Sequence, residues 1–402
     1  MAGSNFSNKN IILAVTGSIA AYKACSICSS LVKRKANVFP VMTPNATNFI
    51  NPLSLSTISG NKTIIESFKN KGKAYHISLA HSADVILIAP ATANTIAKIA
   101  HGIADNFLST TVLSANCPTV IAPAMNESMY LNSFTRENIQ KLADSGRFYI
   151  MGTKEGRLAC GEEGRGNLEA EEKIIEKCLE VLKLNESLRG KKILVSAGGT
   201  REYIDKVRFI SNASSGKMGY ALAEEAVFRG GEVVLVTTKK GMVPCGVKPV
   251  YVESSQEMKE GLLSHYSSSD IIIMAAAVSD IVPVSRYNYK LKKKNDILSK
   301  LRFKINENIL EILQARKEES QILVGFAAET GEEISNAHEK IKEKNIDLLV
   351  ANNISREDIG LDSDFNEVVL INQKMKQKKI GKAKKRIIAR EIFNEIINNL
   401  MD

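Results

Sequence analysis

The chain has 402 residues, which is enough for two or three domains of ordinary size. Hydrophobic residues make up 44% of it and charged residues 24%, a composition that excludes a disordered chain and favours compact globular domains. The formal net charge of +10 suits anionic small substrates, and because no aromatic platform accompanies the basic runs we do not expect a nucleic-acid partner.

The apolar runs are too short to cross a membrane. The longest, such as Val85–Ala91 and Ile271–Val278, fall well below the roughly 20 residues that a spanning helix needs. Near the amino terminus, Ile11–Val15 is followed by Thr16–Ser18 instead of a long apolar signal core. The six cysteines do not suggest a disulfide framework. We therefore expect a cytoplasmic protein without a membrane partner.

The first half repeats a unit of strand, polar loop and helix. Predicted strands at Ile11–Val15, Val38–Met42 and Val85–Ala89 are each followed by residues rich in Gly, Ser, Thr, Asn or Pro and then by a helical pattern. Continuous apolar strands of this kind are typical of a parallel sheet with both faces buried. Ligands should lie where the loops gather, at the carboxyl ends of the strands.

Cys25 and Cys28 form a Cys-x-x-Cys pair inside the helix predicted after the first loop. Such a pair could be a redox dithiol or half of a zinc site. No second cysteine pair completes a zinc site, so we interpret the two side chains as helix packing.

A domain boundary is predicted where the amphipathic helix Ala170–Leu184 gives way to the polar segment Asn185–Gly190. The strand Lys192–Ala197 then opens a second unit. The lysine-rich stretch from Lys374 to Arg386 is interpreted as a solvated face. Further strands are predicted at Glu232–Thr238, Ile271–Ala276, Ile322–Phe326, Asp347–Ala351 and Glu367–Ile371, and a terminal helix near Ile387–Asn398.

Four segments of the first half share the order found in one enzyme family. They are the Gly17-Ser18-Ile19-Ala20 loop, His76 before the central strand, the Pro-x-Met-Asn-x-x-Met motif from Pro123 to Met129, and Ala159-Cys160-Gly161. Together they resemble the flavin-containing cysteine decarboxylases, and specifically the phosphopantothenoylcysteine decarboxylases. The chain departs from that family at Asn167, where an arginine is usual.

That resemblance implies a function for three side chains. His76 matches the family's catalytic base, Asn126 the residue that holds the substrate carboxylate, and Cys160 the thiol that donates a proton late in the cycle. FMN in this family oxidises the cysteine thiol towards a thioaldehyde, which accepts the charge left by carbon dioxide. Without the resemblance, a single histidine and a lone cysteine are more often structural. The implied FMN-binding residues are Gly17, Ser18, Ile19, Thr43, Thr92, Ala93, Asn94 and Thr95.

The second half opens with a long polar segment between apolar elements, which is costly to order unless it binds a ligand. It runs from Gly198-Gly199-Thr200 to Ser214-Ser215-Gly216-Lys217-Met218-Gly219. The segment resembles the phosphopantothenate–cysteine ligases, with Lys206 where proline is usual. Later matches are Ala275–Asp280, Tyr289–Lys293, Gly325–Thr330 and Ala351–Asn353.

By this resemblance the second half uses CTP to activate phosphopantothenate as an acyl-cytidylate, which the amine of cysteine then attacks. Lys290 matches the lysine that forms the acyl-cytidylate and Asn212 the residue needed for its conversion, while Asp280 lies where nucleotide and Mg²⁺ (or Mn²⁺) meet. The implied CTP and substrate contacts are Gly198, Gly199, Arg208, Met274, Ala275, Ala276, Ala277, Asp280, Asn306, Glu307, Asn308, Ile309, Phe326, Lys340 and Lys344.

The sequence therefore predicts an α/β protein of two Rossmann-like three-layer domains with mainly parallel sheets, the first flavoprotein-type and the second ligase-type. Residues 1–184 would form an FMN-dependent decarboxylase and residues 190–402 a CTP-dependent ligase. The trimeric decarboxylases and dimeric ligases suggest a homo-oligomer, with a dodecamer reconciling both contacts. Two alternatives stay open: a pyridine-nucleotide oxidoreductase, and a basic flavoprotein with a regulatory or nucleic-acid-binding function.

Overall fold

The computed structural model describes residues 6–65, 75–157, 161, 163–241, 243–292, 301–329, 346–353, 356, 358–360 and 362–401. The chain divides into two compact units, Met1–Glu186 and Ser187–Asp402. Three residues singled out by the sequence, Cys160, Lys340 and Lys344, lie outside the described residues.

The first unit is built on a parallel sheet, which has five strands among the described residues in the order β2-β1-β3-β4-β5. The three strands predicted in this half are confirmed, and the central β3 is buried along its whole length because helices cover both faces. The strands are β1 (Asn10–Val15), β2 (Asn37–Met42), β3 (Val85–Ala91), β4 (Thr119–Pro123) and β5 (Phe148–Ile150).

Two hydrophobic cores lie on the two faces of this sheet. One packs β1 and β3 against the first and last helices of the unit, and the other packs them against the helices between. Cys25 and Cys28 lie in the first helix as expected, and burial raises the pKa of the Cys28 thiol to about 12. The helices are α1 (Lys23–Lys33), α2 (Pro52–Ser59), α3 (Tyr75–Ser82), α4 (Ala93–Ala100), α5 (Phe107–Ser114), α6 (Glu127–Leu131), α7 (Ser133–Ala143) and α8 (Glu171–Asn185). A hairpin of β6 (Lys154–Arg157) and β7 (Glu163–Asn167) precedes α8.

The second unit contains a larger mixed sheet. Among the described residues it has eight strands in the order β12-β11-β8-β13-β16-β17-β18-β19, parallel through β17 and antiparallel after it. These strands are β8 (Lys192–Ala197), β11 (Glu232–Thr237), β12 (Val247–Tyr251), β13 (Ile271–Met274), β16 (Ile322–Glu329), β17 (Leu348–Asn353), β18 (Phe365–Asn372) and β19 (Gln377–Lys384). Two short hairpins pair β9 (Arg201–Tyr203) with β10 (Phe209–Ser211), and β14 (Ile281–Pro283) with β15 (Phe303–Ile305).

The lysine-rich stretch after Lys374 contains a strand that the sequence did not predict. Its side chains form the expected solvated face, and Gln377–Lys384 also pairs with β18 as the edge strand β19. Most of its side chains are exposed, and lysines on an edge strand discourage pairing with another chain. The strand is therefore charged because it lies at the edge, and its sequence lacks the apolar alternation that identifies strands.

Helices cover both faces of the second sheet. They are α9 (Lys217–Phe228), α10 (Ser255–Tyr266), α11 (Ile309–Gln314) and α12 (Lys385–Asn399). One core contains α9 and α12, and the opposite core contains α10 and α11. In neither unit is any described helix both long and apolar enough to span a membrane.

Candidate active sites

The order β2-β1-β3 places a crevice between the carboxyl ends of β1 and β3, where the connections leave the sheet in opposite directions. Thr16 connects the loops on either side of this crevice through hydrogen bonds. Its Oγ1 donates to the Pro90 carbonyl at 2.7 Å and accepts from the Thr92 amide at 3.0 Å. The sequence analysis did not select Thr16, although it directly follows a buried strand.

The Gly17 loop is closely packed against the loop after β2. A Cβ on Gly17 would lie only 2.7 Å from Asn45 Cβ, so only glycine fits here. Ser18 caps the short helix Ile19–Tyr22 by accepting from the Ala20 amide, and its hydroxyl donates to the Ala124 carbonyl at 3.3 Å. The loops after β1, β2 and β4 thus meet at the crevice.

Thr43 and Thr92 present hydroxyl groups at this same edge. Thr43 donates its amide to Val15 at 3.0 Å, while its buried Oγ1 has no hydrogen-bond partner within the described part of the chain. Thr92 caps α4 through a bond from the Thr95 amide, which leaves Ala93 and Asn94 in the first turn. A ligand with acceptor oxygens would satisfy the Thr43 hydroxyl.

Asn126 lies at the end of β4 and caps α6, with its Oδ1 accepting from the Ser128 amide at 2.9 Å. The β6–β7 hairpin packs on this turn: the Met125 amide donates to the Gly166 carbonyl at 3.0 Å, and Glu127 accepts from the Arg165 amide at 2.9 Å. A Cβ on Gly166 would lie 2.1 Å from the Met125 carbonyl oxygen. The hairpin therefore fixes the turn that holds Asn126.

His76 lies in the first turn of α3, half-buried, with its ring edge-on to Phe107 at 6.5 Å between centroids. No hydrogen bond or ring contact among the described residues joins it to the Gly17 loop. Asn167, at the departure from the family pattern, donates to the Arg157 carbonyl at 3.2 Å across the hairpin. Cys160 follows β6 and precedes β7 in sequence, outside the described residues.

The second unit has a cleft of about 1160 Å³ at the carboxyl ends of its parallel strands. Pockets that hold one drug-sized ligand are usually about 300–1,000 Å³, so this cleft is large enough for two small substrates. Many of the residues selected from the sequence line it: Asn212, Met274, Ala275, Ala276, Ala277, Asp280, Asn306, Glu307, Asn308, Ile309 and Phe326.

Gly198 and Gly199 support the cleft without lining it. The Ala277 amide donates to the Gly198 carbonyl at 2.9 Å, which holds the loop after β8 beside the loop after β13. A Cβ on Gly199 would lie 2.5 Å from the Asn212 backbone oxygen. The Asn212 amide group donates to the Val278 carbonyl at 3.0 Å, so these glycines set the position of Asn212.

Arg208 and Lys290 do not line the cleft. Arg208 pairs with Asp205 at 2.9 Å and donates to the Leu291 carbonyl at 3.2 Å. Desolvation acts to raise the pKa of the Asp205 carboxyl, but the amides of Val207, Arg208 and Leu291 and the Arg208 charge together lower it. The anionic Asp205 thereby anchors the segment that carries the exposed Lys290.

Residues 306–308 form the cleft wall beside Asp280. The Asn306 amide donates to the Asp280 carbonyl at 2.8 Å, and Asn308 caps α11. A hydrogen bond from Lys259 lowers the pKa of the Glu307 carboxyl. The side chain of Asp280 is exposed at this wall and is open to a cation or a nucleotide.

Several cleft residues were missed by the sequence analysis. Asn352 belongs to a segment that matched the ligase family but was given no function. Lys385 was hidden among other lysines of the predicted solvated stretch. The missed residues that line the cleft include Ser214, Met218, Asn352, Asn366 and Lys385.

Comparisons with known families match each unit separately. Residues 2–183 match the family described as Flavoprotein. Residues 188–400 match the family described as DNA/pantothenate metabolism flavoprotein C-terminal domain.

Relatives match along nearly the whole chain. The coenzyme A biosynthesis bifunctional protein CoaBC of Bacillus subtilis strain 168 is 41% identical over 395 residues, which cover 97% of each chain. A protein of the same name from Borreliella burgdorferi strain B31 is 40% identical over 391 residues, covering 96% of this chain and 98% of its own. A crystal structure of the C-terminal domain of a CoaBC protein is 37% identical, covers 53% of this chain and 96% of that one, and has a TM-score of 0.45.

Proposed function

This chain belongs to the family of coenzyme A biosynthesis bifunctional proteins, and from that premise we propose that its two units catalyse successive reactions on one substrate. The second unit, which contains the predicted ligase domain of residues 190–402, joins cysteine to phosphopantothenate at the expense of CTP. The first unit, which contains the predicted decarboxylase domain of residues 1–184, decarboxylates the product to phosphopantetheine. The single observation that best supports the proposal is the large second-unit cleft, because its lining includes so many of the residues expected to contact CTP and substrate.

The crevice of the first unit is suited to FMN. Its strand order is that of folds in which a flavin mononucleotide binds beside the first strand. Gly17 leaves room for close backbone approach, and the unpartnered Thr43 hydroxyl needs an acceptor such as a phosphate or ribityl oxygen. Gly17, Ser18, Ile19, Thr43 and Thr92–Thr95 would hold the cofactor.

When bound, FMN supplies two-electron redox chemistry that makes the cysteinyl carbon able to lose carbon dioxide. Asn126 would hold the substrate carboxylate, since its turn is fixed by the hairpin beside it. His76 would take the proton at the start, and Cys160 would return one at the end. The three assignments stay predictions.

In the second unit, attack of a carboxylate on a triphosphate brings like charges together, so cations must neutralise them. Asp280 would bind Mg²⁺, which commonly uses one or two carboxylates with substrate phosphates as its other ligands. CTP would be bound by Phe326, Asn306–Ile309, Lys340 and Lys344. The end of β13 and the residues after it, Met274–Ala277, would lie along the substrates.

Lys290 would act in formation of the acyl-cytidylate and Asn212 in its reaction with cysteine. Lys290 does not line the cleft of its own chain, so it would reach a cleft either by movement of its segment or from a second copy. A homo-oligomer would provide the second copy. The dodecameric assembly and the cytoplasmic location also stay predictions.

Two variants test the division of function. With phosphopantothenate, cysteine, CTP and Mg²⁺, Lys290→Gln should lose ligation but still decarboxylate added phosphopantothenoylcysteine. Cys160→Ser should form phosphopantothenoylcysteine but not complete its conversion. Lys292→Gln, an exposed change two residues from Lys290, is the matched control. Product masses decide the result, and parental rates of both reactions in a variant would contradict the function given to that residue.

A further inference from the structure

The loop of the β9–β10 hairpin, residues 204–208, holds the segment that carries Lys290. Before Lys290 in the chain, the Tyr287 amide donates to the Ile204 carbonyl at 2.9 Å. Directly after it, the Leu291 amide donates to Asp205 Oδ2 at 3.1 Å. The backbone on both sides of Lys290 is therefore bonded to the same loop.

Asp205 is the buried centre of this contact, and its two carboxylate oxygens bond to different groups. Oδ1 accepts from the amides of Val207 at 2.7 Å and Arg208 at 2.8 Å, which closes the loop itself. Oδ2 accepts from the Arg208 guanidinium at 2.9 Å and from the Leu291 amide. One oxygen thus shapes the loop, and the other holds the Lys290 segment.

Arg208 completes the contact with Leu291. One guanidinium nitrogen donates to Asp205, and the other donates to the Leu291 carbonyl at 3.2 Å. The amide and the carbonyl of Leu291 are therefore both bonded to one ion pair, and the Leu291 side chain is buried. Because hydrogen bonds to charged groups are stronger than those between neutral groups, this pair fixes the backbone at residue 291.

The position of Lys290 depends on this backbone. Its side chain is exposed, and a lysine carries its ammonium group on a flexible stem, so the place of its Cα decides where the ammonium can reach. That Cα lies about 3.8 Å from the Cα of Leu291. Asn212 is held separately, because its side-chain amide donates to the Val278 carbonyl at 3.0 Å. Loss of the Asp205 Oδ2 bonds should therefore move Lys290 and leave Asn212 in place.

Building on the proposed function, we propose that Asp205 is a positioning residue for formation of the acyl-cytidylate. In that step a carboxylate oxygen of the acid forms a bond to the α-phosphorus of CTP, while the bond from this phosphorus to the departing pyrophosphate breaks. Lys290 supplies positive charge where the two anions meet. Asp205 acts only through Leu291 and Lys290, by holding the lysine at the position from which its ammonium reaches that charge.

Asp205→Asn tests the proposal because it separates the functions of the two oxygens. Asparagine keeps one carbonyl oxygen for the two loop amides, but it turns an NH₂ group towards the Leu291 amide and the Arg208 guanidinium, which are themselves donors. Asp270→Asn is the matched control. Asp270 also accepts from a backbone amide, that of Lys192 at 2.7 Å, but at the amino end of β8 and outside the cleft lining.

Each full-length protein is given phosphopantothenate, CTP and Mg²⁺ without cysteine, and pyrophosphate release is followed over a single turnover. Because a displacement of about 1 Å can cost about 100-fold in rate, the rate constant should fall about 10- to 100-fold in Asp205→Asn. The amplitude and the apparent affinity for CTP should stay within about twofold. Cysteine is then added to the acyl-cytidylate that has formed, and CMP release should keep the parental rate constant.

Four results would overturn the assignment. They are a parental rate of pyrophosphate release in Asp205→Asn, an equal slowing of both steps, a loss of amplitude at the parental rate constant, and an equal loss in Asp270→Asn. The third result is the one that partial unfolding would give, because unfolded molecules reduce the amount of active protein and not its rate constant.

Asp205→Glu serves if Asp205→Asn does not fold, because it keeps an anionic acceptor but lengthens the side chain by one carbon–carbon bond of about 1.5 Å. Slower pyrophosphate release with parental CMP release is again expected, and parental rates of both steps would contradict the inference. A parent protein that releases no pyrophosphate from CTP would overturn the proposed function itself. Slow release confined to the Asp205 variants supports both the proposed function and this inference.

Discussion

Replacing Gly199 with alanine should impair ligation without affecting decarboxylation. The added Cβ would lie 2.5 Å from the Asn212 backbone oxygen, whereas ordinary contacts begin near 3.4 Å. The two atoms must therefore separate by about 0.9 Å. Because Gly199 has no positive φ, the strain comes from this contact and not from the backbone conformation of residue 199.

The contact has two measurable consequences. Overpacking of this kind costs about 1–3 kcal/mol, which for a domain of roughly 200 residues lowers Tm by about 2–12 °C. Misplacing a reacting group by about 1 Å can reduce turnover by about 100-fold, and Asn212 is the group displaced. We expect kcat for ligation to fall by about 10- to 100-fold.

The assay measures formation of phosphopantothenoylcysteine by mass, with decarboxylation of added phosphopantothenoylcysteine as the internal control. Gly241→Ala is the matched variant, because no atom lies within 4 Å of the added Cβ and its φ is ordinary. Parental ligation in Gly199→Ala would refute the reasoning, and so would an equal loss in Gly241→Ala.

Two further changes test other parts of the account. Gly17→Ala places a Cβ 2.7 Å from the neighbouring loop, whereas the Cβ of Gly152→Ala has open space. Purified Gly17→Ala protein should therefore carry at least about tenfold less flavin by absorbance than Gly152→Ala, and equal flavin would contradict this. Arg229→Met leaves Glu225 buried without its 2.7 Å partner and should lower the urea-measured free energy of unfolding by about 3–5 kcal/mol. A loss under about 1 kcal/mol would contradict this expectation.

Much of the fold could be predicted because buried parallel strands are continuous apolar runs. Lys192–Ala197 was predicted with the bounds that β8 has, since a polar residue precedes it and a glycine loop follows it. Gln377–Lys384 was missed because a charged edge strand has no apolar face to reveal it. The position of this strand is set by its pairing with β18, which is a tertiary contact that the local sequence does not show.

Among the residues of the candidate sites, some could likewise be selected from the sequence and others could not. The Gly17 loop could be selected because the carboxyl ends of parallel strands meet at one edge, whereas Met274–Ala277 were implied by the family resemblance. Burial of Lys385 could not be predicted, because α12 brings it to the cleft by packing between distant parts of the chain. The position of Lys290 away from the cleft lining also depends on a tertiary contact, the anchoring of Leu291 by Asp205.

The most direct test of the account is product mass from the purified full-length protein given phosphopantothenate, cysteine, CTP and Mg²⁺. Phosphopantetheine should form, and neither it nor phosphopantothenoylcysteine should form when cysteine or CTP is left out. Folded, flavin-loaded protein that forms neither phosphopantothenoylcysteine nor phosphopantetheine would contradict the claim that the two units catalyse successive reactions.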